Sequence, residues 1–373
     1  MNRKALGIFA WCSLVACGPE LATGTGASGG GGGDEGDSGS ADATAESGGG
    51  AGEPATCWEW VPDGPAFIDA IAPLPDGSVV VVGLWDDGPA IAKLDAHGEL
   101  VWSTSRPIAE AHYTDVVVLA SGDLVALGMS VVDYGSSRAL LHGYTADGVQ
   151  TWAASGAPLD DQWFHQGARL GASDRVLVGG DAGTFVFDGK GALVETIDPD
   201  TTNVYSVAPL ADGVASCGMR RAPTLGAWKV TAFDVGVEPV WSFMDEPMNP
   251  LVGCEIAARE PDEVAMMIGD AREEGDTLVR SIRGAEIAWE WSLGTLAFPG
   301  GVAIADDGTT YAVGSFDDEM WLRSFSSTGD DALLRAREGT ATALAWAPGR
   351  LFYAGAIFDD TMPAFVGCVD LTE

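Results

Sequence analysis

The chain is poor in positive charge. It carries 19 Lys and Arg residues against 55 Asp and Glu residues, which gives a formal net charge of −36. Removing Arg3 and Lys4 with an N-terminal signal, and seven acids with a linker, leaves about −31 on residues 57–373. A surface this negative repels phosphate backbones, which argues against nucleic acid as a partner. It also disfavours direct docking onto anionic lipid head groups.

Histidine is equally scarce, and no motif sets one beside a catalytic partner. The chain has 4 histidines. We expect His97 to lie in a turn and His112, His142 and His165 to be surface or loop residues. No nucleophile elbow, zinc-protease helix or phosphate-binding loop is present, so the sequence predicts no catalytic residue and no metal site. Ser, Asp and His side chains that are distant in sequence could still meet in space.

The N-terminal apolar segment Ala5–Val15 is too short to cross a bilayer, which needs about 20 residues. Arg3 and Lys4 precede it and small residues follow it, a pattern typical of an export signal. The tetrapeptide Leu14-Val15-Ala16-Cys17 resembles the lipobox of bacterial lipoproteins. The resemblance implies cleavage after residue 16 and acylation of Cys17. The alternative is an ordinary secretory signal with an incidental cysteine.

The next segment has the composition of a tether. Residues 18–56 hold 14 glycines, seven acids and no basic residue, and Leu21 is their one large apolar residue. They have too little apolar area to offset the entropy of ordering, so we expect disorder. By the same lipoprotein resemblance, Gly18 after the modified cysteine favours the outer membrane. We predict a signal peptide over 1–16, a lipid-anchored linker over 17–56 and a folded domain over 57–373.

The folded domain repeats one pattern seven times. An apolar, β-branched run ends in a glycine, and the separations between successive copies are 45, 51, 39, 51, 45 and 41 residues. The glycines are Gly83, Gly128, Gly179, Gly218, Gly269, Gly314 and Gly355. A period of about 40–50 residues that holds several short strands indicates a β-propeller. No long stretch has helical periodicity, so we predict an all-β domain of seven four-stranded blades.

The last repeat lacks its fourth strand. It runs through Ala364–Asp370 and stops, whereas a strand-like segment, Thr56–Val61, stands alone before the first repeat. An N-terminal strand that completes the last blade would close the ring and remove an exposed edge. Outer strands carry recurring tryptophans such as Trp102 and Trp152. We expect these to pack between blades, the alternative being platforms for stacking sugars.

Four cysteines remain in the predicted domain, an even number that suits an oxidising compartment. They are Cys57, Cys217, Cys254 and Cys368, and three pairings are possible. Cys217 ends the second strand of one blade and Cys254 opens the first strand of the next, so both should lie at one rim. We therefore predict a Cys217–Cys254 bond between blades. The cysteines lack the Cys-x-x-Cys spacing of a redox pair or a zinc site.

Register predicts the second bond, Cys57–Cys368. In the first blade a three-residue turn should set Lys93 opposite Val101. On this template Cys368 takes the place of Lys93 and Cys57 that of Val101, at a Cα separation of about 4.5–5.5 Å. This assumes that the first tryptophan of the N-terminal segment is the repeated one. If the second is, the register shifts by two residues.

A repeated acidic loop after the second strand is the best candidate binding site. Its members are Asp86, Asp87, Asp317, Asp318, Asp359 and Asp360. The propeller repeat puts these loops at one rim, where their carboxylates could hold calcium or a cationic ligand. They lack the graded ligand spacing of a dedicated calcium loop, so solvated turn carboxylates are the alternative, and we predict no resident cofactor.

The chain resembles the seven-bladed propellers of bacterial envelope lipoproteins, and the segment Ala92–Trp102 is similar to a quinoprotein-type repeat. The resemblance spans 57–373 and concerns the fold, which does not fix function. We expect a monomeric, non-enzymatic binding or scaffolding module, held at the membrane by its acyl anchor and meeting a protein or glycan partner. The alternative is a hydrolase or lyase acting on envelope polysaccharide at the channel mouth.

Overall fold

The computed structural model places the folded unit within Pro54–Glu373. The residues that it describes are 54–64, 66–85, 88–108, 110–133, 136–154, 164–197, 202–220, 227–245, 253–260, 262–269, 276–295, 298–316, 318–357 and 363–371. Cys17 and the predicted signal lie outside this part of the chain, as does the predicted linker up to residue 53.

The described residues form seven antiparallel sheets of four strands each. Blades one to three comprise β2 (Ala66–Pro73), β3 (Val79–Trp85), β4 (Gly88–Leu94), β5 (Leu100–Ser105); β6 (Ala111–Val118), β7 (Leu124–Asp133), β8 (Ser136–Tyr144), β9 (Gln150–Ala153); and β10 (Phe164–Arg169), β11 (Val176–Gly180), β12 (Gly183–Phe187), β13 (Leu193–Ile197). Blades four and five comprise β14 (Thr202–Leu210), β15 (Gly213–Arg220), β16 (Ala227–Asp234), β17 (Pro239–Met244); and β18 (Cys254–Ala258), β19 (Glu263–Gly269), β20 (Asp276–Arg283), β21 (Glu286–Thr295). Blades six and seven comprise β22 (Phe298–Ile304), β23 (Thr310–Phe316), β24 (Glu319–Phe325), β25 (Asp331–Glu338); and β26 (Thr340–Ala347), β27 (Arg350–Ala356), β28 (Ala364–Asp370), β1 (Thr56–Trp60).

The sheets close into a seven-bladed propeller. The first strands of successive blades contact one another, and the first strand of blade seven contacts that of blade one. In blade seven the strand order is β1-β28-β27-β26, so the N-terminal strand supplies the missing outer strand, as predicted. We call the end of the ring where each first strand begins the upper rim and the opposite end the lower rim. No helix in the described ranges is long and apolar enough to cross a bilayer.

The core is a set of apolar layers between neighbouring blades. In β3 all four residues Val79–Val82 are buried. Val79 and Val81 pack against blade seven, whereas Val80 and Val82 pack against blade two. Alternate side chains of a strand point to opposite faces, so a strand sandwiched between blades must be apolar at every position.

The repeated glycine marks a bulge in the first strand. Gly83 pairs with Ile68, and the ladder then skips Asp69. A Cβ on Gly83 would overlap the carbonyl oxygen of Phe67, which the irregular first strand brings against the second. The same close approach occurs at Gly128 and other repeat glycines. The sequence repeat therefore records a bulge that recurs beside the channel.

The recurring tryptophans hold each blade to the next. Trp102 Nε1 donates a hydrogen bond to the Ala146 carbonyl oxygen at 3.2 Å, in a lower turn of blade two. Its ring covers Gly148, where a Cβ would lie 2.7 Å from the indole. Trp58 and Trp152 make the same pair of contacts with blades one and three. The packing role is confirmed.

One predicted register is wrong by a single residue. Lys93 pairs with Trp102, because Val101 is a β-bulge that the ladder skips. Outer strands of other blades contain a bulge near the same place. The sequence does not show where such an extra residue lies, because the residues of the turn before it are the same with or without the bulge.

The ring-closing disulfide nevertheless forms as predicted. Trp58 pairs with Cys368, so it is the equivalent of Trp102, and Cys57 occupies the bulge beside it. Cys57 and Cys368 are bonded, with their Cα atoms 5.2 Å apart. Covalent closure thus ties the first strand of the fold to the last.

The second predicted disulfide also forms. Cys217 of β15 is bonded to Cys254 of β18, with their Cα atoms 6.4 Å apart. Both cysteines are fully buried. The bond joins blades four and five and confirms the predicted pairing.

Candidate functional site: the central channel and its upper rim

The first strands of the seven blades line the central channel, and several of them carry polar residues at or beside the bulge. These residues are Asp69, Thr114, Asp115, Gln166, Ser206 and Thr342. In blade five, whose first strand has no such bulge over its described residues, Glu255 contributes a further polar side chain. A polar group in an otherwise apolar wall needs a hydrogen-bond partner. A group that already has one within the fold is less available to a ligand.

Two threonines bridge neighbouring blades in the same way. Thr342 Oγ1 in blade seven donates to the Ile68 carbonyl oxygen of blade one at 2.5 Å. Thr114 Oγ1 in blade two donates to the Phe164 carbonyl oxygen of blade three at 2.8 Å. Each bond satisfies a carbonyl that the adjacent bulge has freed from the ladder. These hydroxyls therefore have a structural role.

A side-chain network, which we call the channel network, connects blades three, four and five. Gln166 Nε2 donates to Glu255 Oε2 at 2.6 Å, and Ser206 Oγ donates to Gln166 Oε1 at 2.5 Å. The Ile256 backbone N–H donates to Ser206 Oγ at 2.9 Å. Burial raises the pKa of Glu255 to about 8, with the Asp115 charge adding to the effect. Its carboxyl is therefore largely protonated at neutral pH.

Two further channel carboxyls differ in how they are held. Asp115 accepts bonds from the Val116 and Gly167 N–H groups at 2.7 and 2.8 Å. Burial still raises the pKa of its carboxyl to about 7. Asp69 receives no hydrogen bond from any described residue, and burial alone raises its pKa to about 7. Both side chains are half-buried, because they border the channel while the surrounding ring displaces bulk water.

A histidine–aspartate pair lies at the upper end of the channel. His165 Nε2 is 3.0 Å from Asp181 Oδ1, and the His165 ring lies 5.1 Å from the Tyr205 ring. Asn203 Nδ2 donates to the Tyr205 hydroxyl at 3.4 Å, and the Tyr205 ring packs edge-on against Trp228. No sequence motif gives His165 a carboxylate partner. The pair is 16 residues apart and meets only because adjacent strands return to one rim.

Two other histidines also lie differently from prediction. His142 is buried, and its Nδ1 is 2.5 Å from the Tyr113 hydroxyl, which in turn contacts the Tyr144 hydroxyl at 2.7 Å. Burial lowers the pKa of both His142 and His112 to about 4, so both rings are neutral. They lie within strands of blade two rather than on loops. His97 lies in a turn, as predicted.

The predicted acidic loops are only partly described. Asp86, Asp87, Asp317, Asp359 and Asp360 lie outside the described residues. Asp318 is exposed, with a positive φ of 65°, and its carbonyl oxygen accepts the Gly339 N–H at 2.8 Å. The strands β3, β23 and β27, which precede these loops in the sequence, all end at the upper rim. Among the residues with described positions, no three His, Cys, Asp or Glu side chains come close enough to hold a metal ion.

Around Asp318 the upper end of blade six forms an open depression, lined by Asp318, Glu319, Arg337 and Glu338. Glu319 is the direct cross-strand partner of both Phe316 and Glu338. Phe316 is 42% exposed, which is high for a phenylalanine. We call the four residues Phe316, Asp318, Glu319 and Glu338 the blade-six edge.

No protein-family model and no curated protein sequence matches the chain. Solved structures match it in fold. A structure of Kuenenia stuttgartiensis hydrazine synthase covers 84% of this chain and 97% of its own, with 12% identity and a TM-score of 0.58. A catalytically inactive virginiamycin B lyase from Staphylococcus aureus, solved with quinupristin, covers 84% and 98%, with 11% identity and a TM-score of 0.57. The Cps50 (Swd1) propeller domain of Myceliophteria thermophila covers 81% and 99%, with 10% identity and a TM-score of 0.53.

At these identities the likeness concerns the fold alone. The chain is a seven-bladed β-propeller, a scaffold that is compatible with binding or scaffolding. Propellers host unrelated functions, so function must be argued from the groups on this particular ring.

Proposed function

We propose that this protein is a non-enzymatic binding or scaffolding propeller, displayed on the cell envelope by a lipid anchor, with its partner at the upper rim. The observation that carries the proposal is a difference between the two rims. At the lower rim the turns are used to hold the ring together. Among the described residues of the upper rim, the exposed side chains of Phe316, Asp318, Glu319 and Glu338 form no hydrogen bond, ion pair or ring contact that joins blades.

The side chains of the lower turns already form hydrogen bonds within the fold. Asp95 Oδ1 accepts the N–H groups of His97 and Glu99 at 2.8 and 2.9 Å, and Asp188 and Asp234 cap their own turns in the same way. The tryptophan contacts described above also end on these turns. Groups bonded within the fold have little left to offer a ligand.

Most polar side chains of the channel are already bonded within the fold, and Asp69 is the exception among the described residues. The channel network joins its members to one another, and Asp115 is bonded to two backbone N–H groups. A substrate that reached these groups would have to break bonds that already satisfy them, which costs free energy. A partner that meets the rim does not incur this cost. This arrangement favours a binding module over an enzyme.

The envelope location rests on the sequence. The lipobox-like Leu14–Cys17 and the glycine-rich 18–56 support an acylated Cys17 on a flexible tether at the outer membrane. The negative charge of the domain disfavours binding to anionic lipid, so the anchor would supply the membrane affinity. We propose a monomer whose partner is a protein or a glycan.

A crosslinking experiment with intact envelopes tests the binding role. A photo-reactive residue replaces Phe316 at the upper rim, or Asp147 in a lower turn as the matched control. We expect a specific adduct from the upper position only. An adduct from the lower position alone would overturn the assignment of the rim. Metabolic labelling with a fatty acid tests the anchor separately, because Cys17→Ala should abolish the label.

A second candidate, a lyase or hydrolase for envelope polysaccharide, is favoured by one observation. His165 is paired with Asp181 and lies beside Tyr205 at the channel mouth. A carboxylate that orients a histidine is an arrangement that general bases use. Turnover of an acidic polysaccharide that disappears in His165→Ala and persists in His97→Ala would establish this function. Absence of turnover across a polysaccharide panel would reject it.

A further inference from the structure

The blade-six edge combines groups that the fold itself does not use. Residues that face each other across antiparallel strands place their side chains on the same face of the sheet. Phe316, Glu319 and Glu338 are linked by two such pairings across β23, β24 and β25. One exposed aromatic ring and two carboxylates therefore project side by side from the upper end of this blade, with Asp318 in the adjoining turn.

The carboxylates of this edge are not neutralised within the fold. No described residue forms an ion pair or a side-chain hydrogen bond with Asp318, Glu319 or Glu338. Arg337 also lines the depression, but its guanidinium already binds other groups. Its Nη1 donates to Glu59 at 2.6 Å, and its guanidinium lies 4.3 Å from the centre of the Phe365 ring.

This arrangement has a cost that a partner can relieve. Like charges directly opposite each other on neighbouring strands are destabilising. Glu319 and Glu338 form such a pair, and the adjoining Asp318 adds a third negative charge. An exposed Phe316 adds the cost of hydrated apolar surface. A ligand that brings positive charge and aliphatic surface together would remove both costs.

We propose that the blade-six edge is a docking site for an extended, basic polypeptide segment of another protein, in which Lys or Arg alternates with aliphatic residues. Complementary charge is the ground for this choice. A second copy of this chain is the wrong occupant, since it carries 55 acidic against 19 basic residues. The inference deepens the proposed binding function by naming the chemistry of the partner, and it rests on that function.

The test uses the full secreted chain and two labelled octapeptides, one alternating Lys with Leu and one alternating Glu with Leu. Fluorescence anisotropy measures binding at 50 mM and 300 mM salt. We expect the Lys-Leu peptide to bind, more weakly at high salt, and the Glu-Leu peptide not to bind. The variants are Glu319→Gln with Glu338→Gln, and Phe316→Ser. The control is Glu195→Gln with Glu238→Gln, which removes the same charge elsewhere.

We expect the first variant to lose at least tenfold in affinity, Phe316→Ser to lose severalfold and the control to bind as the unchanged protein does. Equal losses in the two double variants would mean general electrostatic attraction and would overturn the proposal, as would no binding. A thermal melt separates misfolding from loss of a site, because removing the Glu319–Glu338 repulsion should leave stability unchanged or raised. The envelope crosslinking described above tests the binding function and does not depend on the peptide result. An adduct there with no peptide binding here would reject the basic segment and retain the binding function.

Discussion

The indole nitrogen of Trp58 donates a hydrogen bond to the carbonyl oxygen of Ala96 at 3.2 Å, which joins the last blade to the first. The ring also covers Gly98, where a Cβ would lie 2.7 Å from it. Trp58→Ala should lower the free energy of unfolding by about 2–4 kcal/mol, because both packing and the bond are lost. Trp58→Phe should lose about 1–2 kcal/mol, since it keeps most of the packing. Urea unfolding measures both.

Trp291 is the matched control for that series. It lies on an outer strand as Trp58 does, but it is 38% exposed. Trp291→Ala should cost less than about 1.5 kcal/mol. An equal loss at the two positions would contradict the role assigned to the contact between blades.

The two disulfides should differ in their contribution to stability. Cys57–Cys368 spans 311 residues, whereas Cys217–Cys254 spans 37. In the chain-entropy model the longer loop contributes roughly 6 kcal/mol and the shorter roughly 4 kcal/mol. Replacing both cysteines of the first pair by Ser should therefore lower the midpoint of guanidinium unfolding more than replacing the second pair. The opposite order would show that the bond between blades, and not ring closure, limits unfolding.

The repeat glycines should tolerate no side chain. Gly83→Ala places a Cβ against the carbonyl oxygen of Phe67. We therefore expect a loss of about 3 kcal/mol or more in the free energy of unfolding, or failure to fold. Gly122→Ala is the control. Gly122 has a φ of 85° but no atom within 4 Å of an added Cβ. Backbone strain alone should therefore cost about 1–2 kcal/mol. Thermal melts of the two variants decide whether close approach or backbone conformation selects these glycines.

Stability should fall as pH rises from about 6.5 to 8.5. Burial raises the pKa of Asp69 and Asp115 to about 7 and that of Glu255 to about 8. Each carboxyl has an ordinary pKa in the unfolded chain and a higher pKa in the fold, and between these two values only the folded state binds the proton. Raising the pH through this range therefore lowers the free energy of unfolding. Below about pH 6.5 the neutral rings of His112 and His142, whose pKa values are lowered in the fold, act in the opposite direction.

Asp69→Asn isolates one contribution to that slope. Because Asp69 has no described hydrogen-bond donor, removing its charge should stabilise the fold by on the order of 1–3 kcal/mol at pH 8.5 and by much less at pH 5. Denaturant unfolding at the two pH values provides the comparison. A uniform effect at both would mean that Asp69 is hydrated and ionises freely.

The sequence predicted the architecture because a propeller repeats its constraints. Every blade contains an apolar run followed by a glycine, as in Val79–Gly83. The strands of the last blade come from both ends of the domain, and each end shows its part of the repeat. The disulfide Cys57–Cys368 followed from the same logic, even though the bulge at Val101 shifted the detailed register. Repetition makes each weak local signal visible several times.

The candidate site could not be derived in this way, since its residues depart from the repeat. Asp69, Gln166 and Glu255 look like isolated polar residues in apolar strands, and nothing local shows that blades three and five meet across the channel. Aligning the repeats on their glycines would have flagged the polar positions, though not their partners. His165 and Asp181 likewise become a pair only through the return of adjacent strands to one rim.

Ring closure also decides how the chain responds to a pulling force. A load applied through the chain before β1 enters the domain at the start of that strand. Cys57 is the second residue of that strand, so the load crosses to β28 through a covalent bond almost at once. The backbone hydrogen bonds of β1 are then shielded from being unzipped one by one, and mechanical failure must begin elsewhere in the ring.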